Sequence, residues 1–263
     1  MAKIYINAII TPMDHSGVKQ FASNILGGIN HLIWPALCSA CQQNSCHDDG
    51  PLCQNCWNQL TAAINPDYCP TCAADVSPYA LIENQCPKCI KEQPAFDAVT
   101  RVGRYNEALA QLIRIFKLHQ QSQLDKFLGS LANSALQAKP FPTKIDYFVP
   151  VPLHFTRRLL RGYNQSLLLA KRLNRKSATI NTDLVRIRRT KRQTVMATPK
   201  SRAKNVAGAF AVRADHKFAG KRICLIDDIK TTGSTLNECA KTLKNAGTKK
   251  VYALVLATAN TDK

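Results

Sequence analysis

Four apolar residues in a row, Ile223, Cys224, Leu225 and Ile226, run straight into two carboxylates, Asp227 and Asp228. Five small or hydroxyl residues follow almost at once: Thr231, Thr232, Gly233, Ser234 and Thr235. An apolar run without alternation is what a strand buried on both faces of a parallel sheet requires. Beyond the small residues, Leu236, Cys239, Ala240 and Leu243 recur at helical spacing, and Gly247 stands where it can end that helix. Strand, acidic pair, small-residue loop and helix start therefore follow one another directly. Such a turn is a ready anion site, because loop and helix-start N–H groups converge on one phosphate and small side chains let it approach. Asp227 and Asp228 stand where vicinal hydroxyls or a hydrated metal ion could bind. Lys230 reads as an outward cation between the acids and the loop. A pair of aspartates alone is an ordinary solvated turn; the conjunction is what carries information.

The surrounding pattern supports an α/β fold built on a parallel sheet. A strand is expected over 96–105. Leu109, Leu112, Ile113 and Phe116 mark one helix, and Leu124, Phe127, Leu128, Leu131 and Leu136 mark a second that Pro140 and Pro142 stop. Residues 145–152 form a buried strand leaving the sheet at Pro150 and Pro152, since proline cannot donate to a ladder. The loop after it holds Leu153, His154, Arg157, Arg158 and Arg161, and Gly162, Tyr163, Asn164, Gln165 and Ser166 lead into a helix through Leu169, Ala170 and Leu173. A basic loop at the carboxyl end of a parallel strand is a place to hold diphosphate. His154 is read as a surface histidine without acid–base duty. Strands follow over 184–187, 209–212 and 251–257. The polar, basic stretch 188–205 between the first two reads as a mobile loop rather than packed structure. No Gly-x-x-x-x-Gly-Lys phosphate loop is present.

Nine of the eleven cysteines lie between residues 38 and 89. Eight form four Cys-x-x-Cys pairs, Cys38/Cys41, Cys53/Cys56, Cys69/Cys72 and Cys86/Cys89, with spacers of 11, 12 and 13 residues. Each pair makes a knuckle offering two thiolates to a tetrahedral ion, and two knuckles complete a closed four-cysteine zinc site. Four pairs imply two structural zinc ions. Sequential pairing, 38/41 with 53/56 and 69/72 with 86/89, is the simpler arrangement, and a cross-braced one stays open. Iron–sulfur ligation and redox-active pairs fit four regular knuckles less well. Cys46 is left over beside His47; both read as spare, though either could stand in for a ligand. The ribbons hold few apolar residues, so metal is expected to supply most of their folding energy. The domains expected are an N-terminal extension with a packing helix over 1–35, a double ribbon over 36–94 and an α/β domain over 95–263.

Charge divides along the same line. Residues 1–95 hold four Lys/Arg and seven Asp/Glu, whereas 96–263 hold 32 and ten, for a net +19 overall. Within 157–204 there are fifteen basic residues and one acid, Asp183. That asymmetry points to a polyanionic partner for the C-terminal part, beside the plainer reading of a solvated basic face. No run approaches the ~18 apolar residues of a membrane span, so no membrane insertion is expected. Residues 1–11 lack a clear cleavage pattern, and a cytoplasmic protein is the expectation.

The acidic pair with its Thr-Thr-Gly-Ser-Thr loop resembles the signature of type I phosphoribosyltransferases, which bind 5-phosphoribosyl 1-diphosphate. The resemblance implies that Asp227 and Asp228 hold the ribose hydroxyls and that Thr231, Thr232, Gly233, Ser234 and Thr235 hold the 5′-phosphate. It also implies that Pro152, Leu153, His154, Arg157, Arg158 and Arg161 form a diphosphate loop. A flexible loop containing Arg192, Gln193, Arg202 and Asn205 would close over the ligand, with Mg accompanying the diphosphate. With the four Cys-x-x-Cys pairs, the run from Val149 through Leu153 to Arg161-Gly162-Tyr163-Asn164-Gln165, and Gly208-Ala209-Phe210 after the basic loop, the chain is similar to the ComF family, which includes proteins named GntX. That resemblance covers about residue 35 onwards. It implies a type I phosphoribosyltransferase fold behind a double zinc ribbon, and a place in bacterial competence and DNA uptake. Two functions of different kind follow: Mg-dependent phosphoribosyl transfer, or a catalytically inactive module that binds single-stranded DNA or scaffolds competence proteins. Phe155 and Tyr163 are the aromatics available to stack on bases in or beside the basic segment.

Overall fold

The computed structural model describes residues 37–43, 50–118, 122–174, 178–190 and 198–259. The helix expected before residue 36, Cys46 with His47, and Arg192 with Gln193 lie outside them. Among the described residues, two α-helices belong to the cysteine-rich part, α1 (Gln54–Ala63) and α2 (Pro87–Glu92). The α/β part begins with β1 (Ala98–Arg104), α3 (Glu107–Leu118) and α4 (Ser122–Ala138). It continues through β2 (Tyr147–Pro150), α5 (Phe155–Arg161), α6 (Gln165–Arg172), β3 (Thr179–Ile180) and β4 (Leu184–Arg186). The chain then forms α7 (Pro199–Val206), β5 (Phe210–Val212), β6 (Arg222–Lys230), α8 (Ser234–Asn245) and β7 (Lys250–Thr258).

Five strands make one parallel sheet in the order β1-β7-β6-β2-β3, and β4 and β5 pair antiparallel as a separate ribbon. β6 and β7 lie at the centre, where their unbroken apolar sequences demand burial on both faces. Successive side chains point to opposite faces. Cys224, Ile226, Tyr252, Leu254 and Leu256 pack under α3, α4 and α6, while Ile223, Leu225, Val251, Ala253 and Val255 pack with α8 and the β4–β5 ribbon. Arg222 pairs with Asp146 (Nε to Oδ2 3.0 Å), and these hydrogen bonds hold the Asp146 carboxyl down at about 2. Gly247, at φ +82°, ends α8 as its sequence position suggests.

The double ribbon is less separate than its sequence suggests. Cys38, Cys53, Cys56 and Leu60 belong to the apolar cluster on one face of the sheet; Cys69, Cys72, Cys86 and Cys89 belong to the cluster on the other. The cysteine-rich part therefore straddles edge strand β1. Val99 N–H donates to the Pro70 carbonyl at 2.9 Å, so the second module occupies part of the edge that a bare β1 would leave open. Arg101, 2 % exposed, reaches back from β1 to the Ala73 carbonyl (2.9 Å) and to Asp75, with its guanidinium over the Tyr68 ring. The ribbons thus share their core with the sheet, and metal is not their sole source of folding energy.

Two further expectations change. Residues 198–206 are not a mobile coil: α7 starts at a capping box between Thr198 and Ser201, has Pro199 in its first turn and buries Val206. The basic stretch after β2 is likewise not an open loop but the short helix α5.

Candidate functional site

The sulfurs of Cys38, Cys41, Cys53 and Cys56 all lie within 4.8 Å of one another, as do those of Cys69, Cys72, Cys86 and Cys89. The pairing is sequential, not cross-braced. Cys41 and Cys53 are 3.9 Å apart, Cys69 and Cys89 4.0 Å, and Cys72 and Cys86 3.7 Å. Four thiolates about 2.3 Å from a tetrahedral zinc stand about 3.8 Å from one another, so both sets fit zinc in donor type and spacing. The first knuckles turn tightly, Gln42 N–H to the Cys38 carbonyl and Ala73 N–H to the Cys69 carbonyl, at 2.8 and 2.7 Å. Cys53 and Cys86 sit at the N-termini of α1 and α2, and a hydrogen bond from the Cys56 backbone holds the Cys53 thiol down. Thiols this close resist ionising together. Hydrogen bonds from Cys72 and Cys89 pull the Cys69 thiol down, while Cys72, bonded to Cys69, is pushed up to about 11. A divalent ion resolves that conflict. Cys224 and Cys239 are buried and belong to neither set.

Asp227 and Asp228 lie within β6, which continues to Lys230 rather than ending before the acids. Both carboxylates are held by groups far away in the chain. Lys117 Nζ, from the end of α3, is 3.0 Å from Asp228 Oδ1, and Gln165 Nε2 donates to Asp228 Oδ2 at 2.9 Å. Ser166 Oγ donates to Asp227 Oδ1 at 3.3 Å, and the Asp228 N–H donates to the same oxygen at 2.9 Å. Burial, and next the Asp228 charge, push the Asp227 carboxyl up to about 7; Lys117 and Ser166 pull the other way. Gln165 and Ser166 are themselves buried at the start of α6. Their position is fixed by Asn164, whose Oδ1 caps the helix at the Ser166 N–H (3.0 Å) and whose Nδ2 donates to the Val151 carbonyl (3.1 Å).

The loop after β6 turns through Gly233 at φ +80°, a conformation that suits glycine. α8 then begins without a side-chain cap from Gly233; the Ser234 N–H donates to Thr232 Oγ1 at 3.4 Å, and the Thr235 and Leu236 N–H groups are left for a ligand. Thr232 Oγ1 and Ser234 Oγ bond each other at 2.8 Å and fix the shape of the turn. Thr231 and Thr235 flank them, partly exposed. Lys230 is not the outward cation expected. It is 8 % exposed, and burial holds its ammonium below the usual lysine range.

Around β2, Pro152, Leu153 and His154 leave the sheet half-buried. His154 caps α5, its Nδ1 accepting from the Thr156 N–H at 3.3 Å. Arg157 donates to the Thr190 carbonyl (2.9 Å), Arg158 is exposed, and Arg161 Nη1 donates to Gln165 Oε1 at 3.2 Å. A polar chain therefore runs from Arg161 through Gln165 to Asp228. Arg202 and Asn205 lie on α7, which packs against α8. Tyr163 is buried with its hydroxyl donating to the Phe116 carbonyl (2.6 Å) and is unavailable for stacking.

Lys117, Gln165 and Ser166 were not assigned to the site from sequence. Gln165 and Ser166 had a signal in the Asn164 helix cap downstream of a basic loop. Lys117 had none, being one lysine among many.

Two family models match the chain: a double zinc ribbon domain over residues 29–90 and a phosphoribosyl transferase domain over residues 164–263. Fold and sites thus define a parallel-sheet phosphoribosyltransferase-type domain carrying two four-cysteine sites of the zinc-ribbon type. Competence protein F of Haemophilus influenzae is 32 % identical over 228 residues, which is 84 % of this chain and 96 % of that one. The chain belongs to the ComF family. Competence protein ComFC of Bacillus subtilis is 27 % identical, with 84 % of this chain and 92 % of that one covered. DNA utilization protein YhgH of Escherichia coli K12 is also 27 % identical, covering 84 % and 96 %. Among solved structures, glutamine phosphoribosylpyrophosphate amidotransferase of B. subtilis matches 54 % of this chain and 30 % of its own, at 14 % identity and a TM-score of 0.34. Among the described residues no helix is long and apolar enough to cross a membrane.

Proposed function

We propose that the chain binds 5-phosphoribosyl 1-diphosphate, or a closely related phosphosugar, at the carboxyl end of β6, as part of DNA uptake, in line with the competence and DNA-utilization names of its relatives. One observation carries this reading: two adjacent carboxylates, braced by Lys117, Gln165 and Ser166, stand directly beside an uncapped helix N-terminus. The carboxylates suit ribose hydroxyls, and the loop amides suit a phosphate. Arg158 and Arg161, exposed on α5, supply positive charge on the β2 side, where a diphosphate would lie. Asp227 and Asp228 also offer the oxygen donors that magnesium takes, and magnesium on the diphosphate would neutralise charge as it leaves. Phosphoribosyl transfer on such a site needs no protein nucleophile; the arginines and braced acids act by position and charge.

Calorimetry with 5-phosphoribosyl 1-diphosphate and magnesium tests the assignment. Asp227→Asn with Asp228→Asn is expected to weaken binding by at least tenfold, and an unchanged affinity would sink it. Release of diphosphate in the presence of a metabolite extract separates transfer from binding alone. A second reading, single-stranded DNA binding, is favoured by α5: Phe155 is 67 % exposed on the same short helix as Arg157, Arg158 and Arg161. One stacking ring beside three cations is a modest platform, so the phosphosugar site ranks first.

A further inference from the structure

On the side of the phosphate loop away from the acids lies a cavity of about 590 Å³. Loop residues 231–234 form one wall, α7 another, and the second cysteine set, through Cys72 and Cys89, a third. Neither Asp227 nor Asp228 lines it. Five lysines do, Lys88, Lys200, Lys204, Lys230 and Lys241, against the two carboxylates of Glu92 and Glu238. Glu238 already accepts the Gly208 N–H at 2.6 Å.

Lys230 gives the cavity its character. Four of the lysines stand exposed around it, but Lys230 is more than nine-tenths buried. Its Cε and Nζ would lie 3.2 and 3.8 Å from a Cβ on Gly233, so the ammonium lies against the loop itself. Among the described residues it has no hydrogen-bond or carboxylate partner. Cys72, Cys89 and Cys69 of the second set, on the far wall, favour its charged form against that burial. A buried ammonium facing a cavity beside an uncapped helix N-terminus calls for an anion there. The cavity's size is that of a small-molecule site, with room for much more than one phosphate. Acids on one side of the loop and lysines on the other make the loop a midpoint, not a dead end.

We propose that this cavity holds the outer half of a ligand whose ribose 5-phosphate lies on the loop, the phosphate being joined to a second phosphate and a nucleoside. The ligand class is a ribose joined to a nucleoside through a diphosphate bridge. The ribose faces Asp227 and Asp228, one phosphate sits on the loop amides, and the second meets Lys230 with Lys200 and Lys204. The assignment rests on the phosphoribosyl reading for its ribose end.

The test titrates the full chain with ribose 5-phosphate and with ADP-ribose, which carries that unit with its phosphate extended. ADP-ribose is expected to bind at least tenfold more tightly. Lys200→Met with Lys204→Met, two exposed positions on α7, is expected to erase that advantage while leaving ribose 5-phosphate within twofold. Equal affinities in the unmodified chain, or an advantage that survives the double substitution, would overturn the cavity assignment alone. Failure of both ligands to bind would overturn the phosphoribosyl reading and this one with it.

Discussion

Asp227 is held in β6 against its own charge. An ordinary aspartate titrates near 3.9, whereas burial and the Asp228 carboxylate raise this one to about 7. Between those values the folded chain keeps a proton that the unfolded chain has lost. The ligand-free protein should therefore lose stability as pH rises through that window, the contribution being complete below about 4 and gone above about 7. Asp227 keeps a partly exposed edge, which screens some of the cost. Since one pKa unit is about 1.4 kcal/mol and 1 kcal/mol moves a melting point by about 2–4 °C in a chain of this size, the effect is large enough to measure. Thermal melts between pH 5 and 8 should show the parent chain falling relative to Asp227→Asn by several degrees. A constant difference across that range would mean the carboxyl is not strained. The same strain explains why ribose hydroxyls or a cation would be welcome at this position: they compensate a charge the fold itself resists.

Among the elements, α4 and α6 show how closely the scaffold behind the acids is fitted. A Cβ on Gly129 of α4 would lie 2.3 Å from the Arg172 Cβ of α6, an atom too near the backbone to swing aside. Asn133 Nδ2, one turn on, donates to the Arg172 carbonyl at 3.0 Å, and Arg172 pairs with Asp125. Alanine improves helix propensity over glycine by about 1 kcal/mol, but overpacking at a contact this short costs about 1–3 kcal/mol. Gly129→Ala is therefore expected to destabilise the protein by up to about 2 kcal/mol in urea denaturation; a stabilised variant would show that the crossing is loose. Because α6 begins with Gln165 and Ser166, displacement of this helix would also move the groups that brace Asp227 and Asp228. The tight crossing thus belongs to the site as much as to the core.

At the scale of the whole molecule, the two cysteine sets embed in opposite faces of one sheet. The second also meets edge strand β1 through Pro70 and Arg101 and lines the lysine cavity. Removing zinc should consequently lower the stability of the entire chain. Calorimetric scans after chelation are expected to show one cooperative transition at reduced temperature. An unchanged main transition, preceded by a separate small one from the ribbons, would mean that the cysteine-rich part folds independently of the sheet.

The sequence by itself determined what could be read from local pattern: unbroken apolar strands, knuckles at regular spacing, and the acid-loop-helix turn. These follow from periodicity, metal geometry and helix-end chemistry, all of which act within a few residues. It also misjudged locally. The polar, basic run before β5 reads as coil because its apolar content is low, yet the Thr198–Ser201 capping box and the burial of Val206 make a helix of it. Tertiary structure alone decided which distant groups meet. Lys117 reaches Asp228 from more than a hundred residues away, the cysteine pairs resolve into sequential sets, and the ribbons divide between the two faces of the sheet. Lys230 is the clearest case. Its neighbours in sequence suggest a solvated cation, but α7, the second cysteine set and the loop after β6 close around it. Burial depends on what the rest of the chain brings to a position, and no window of sequence contains that information.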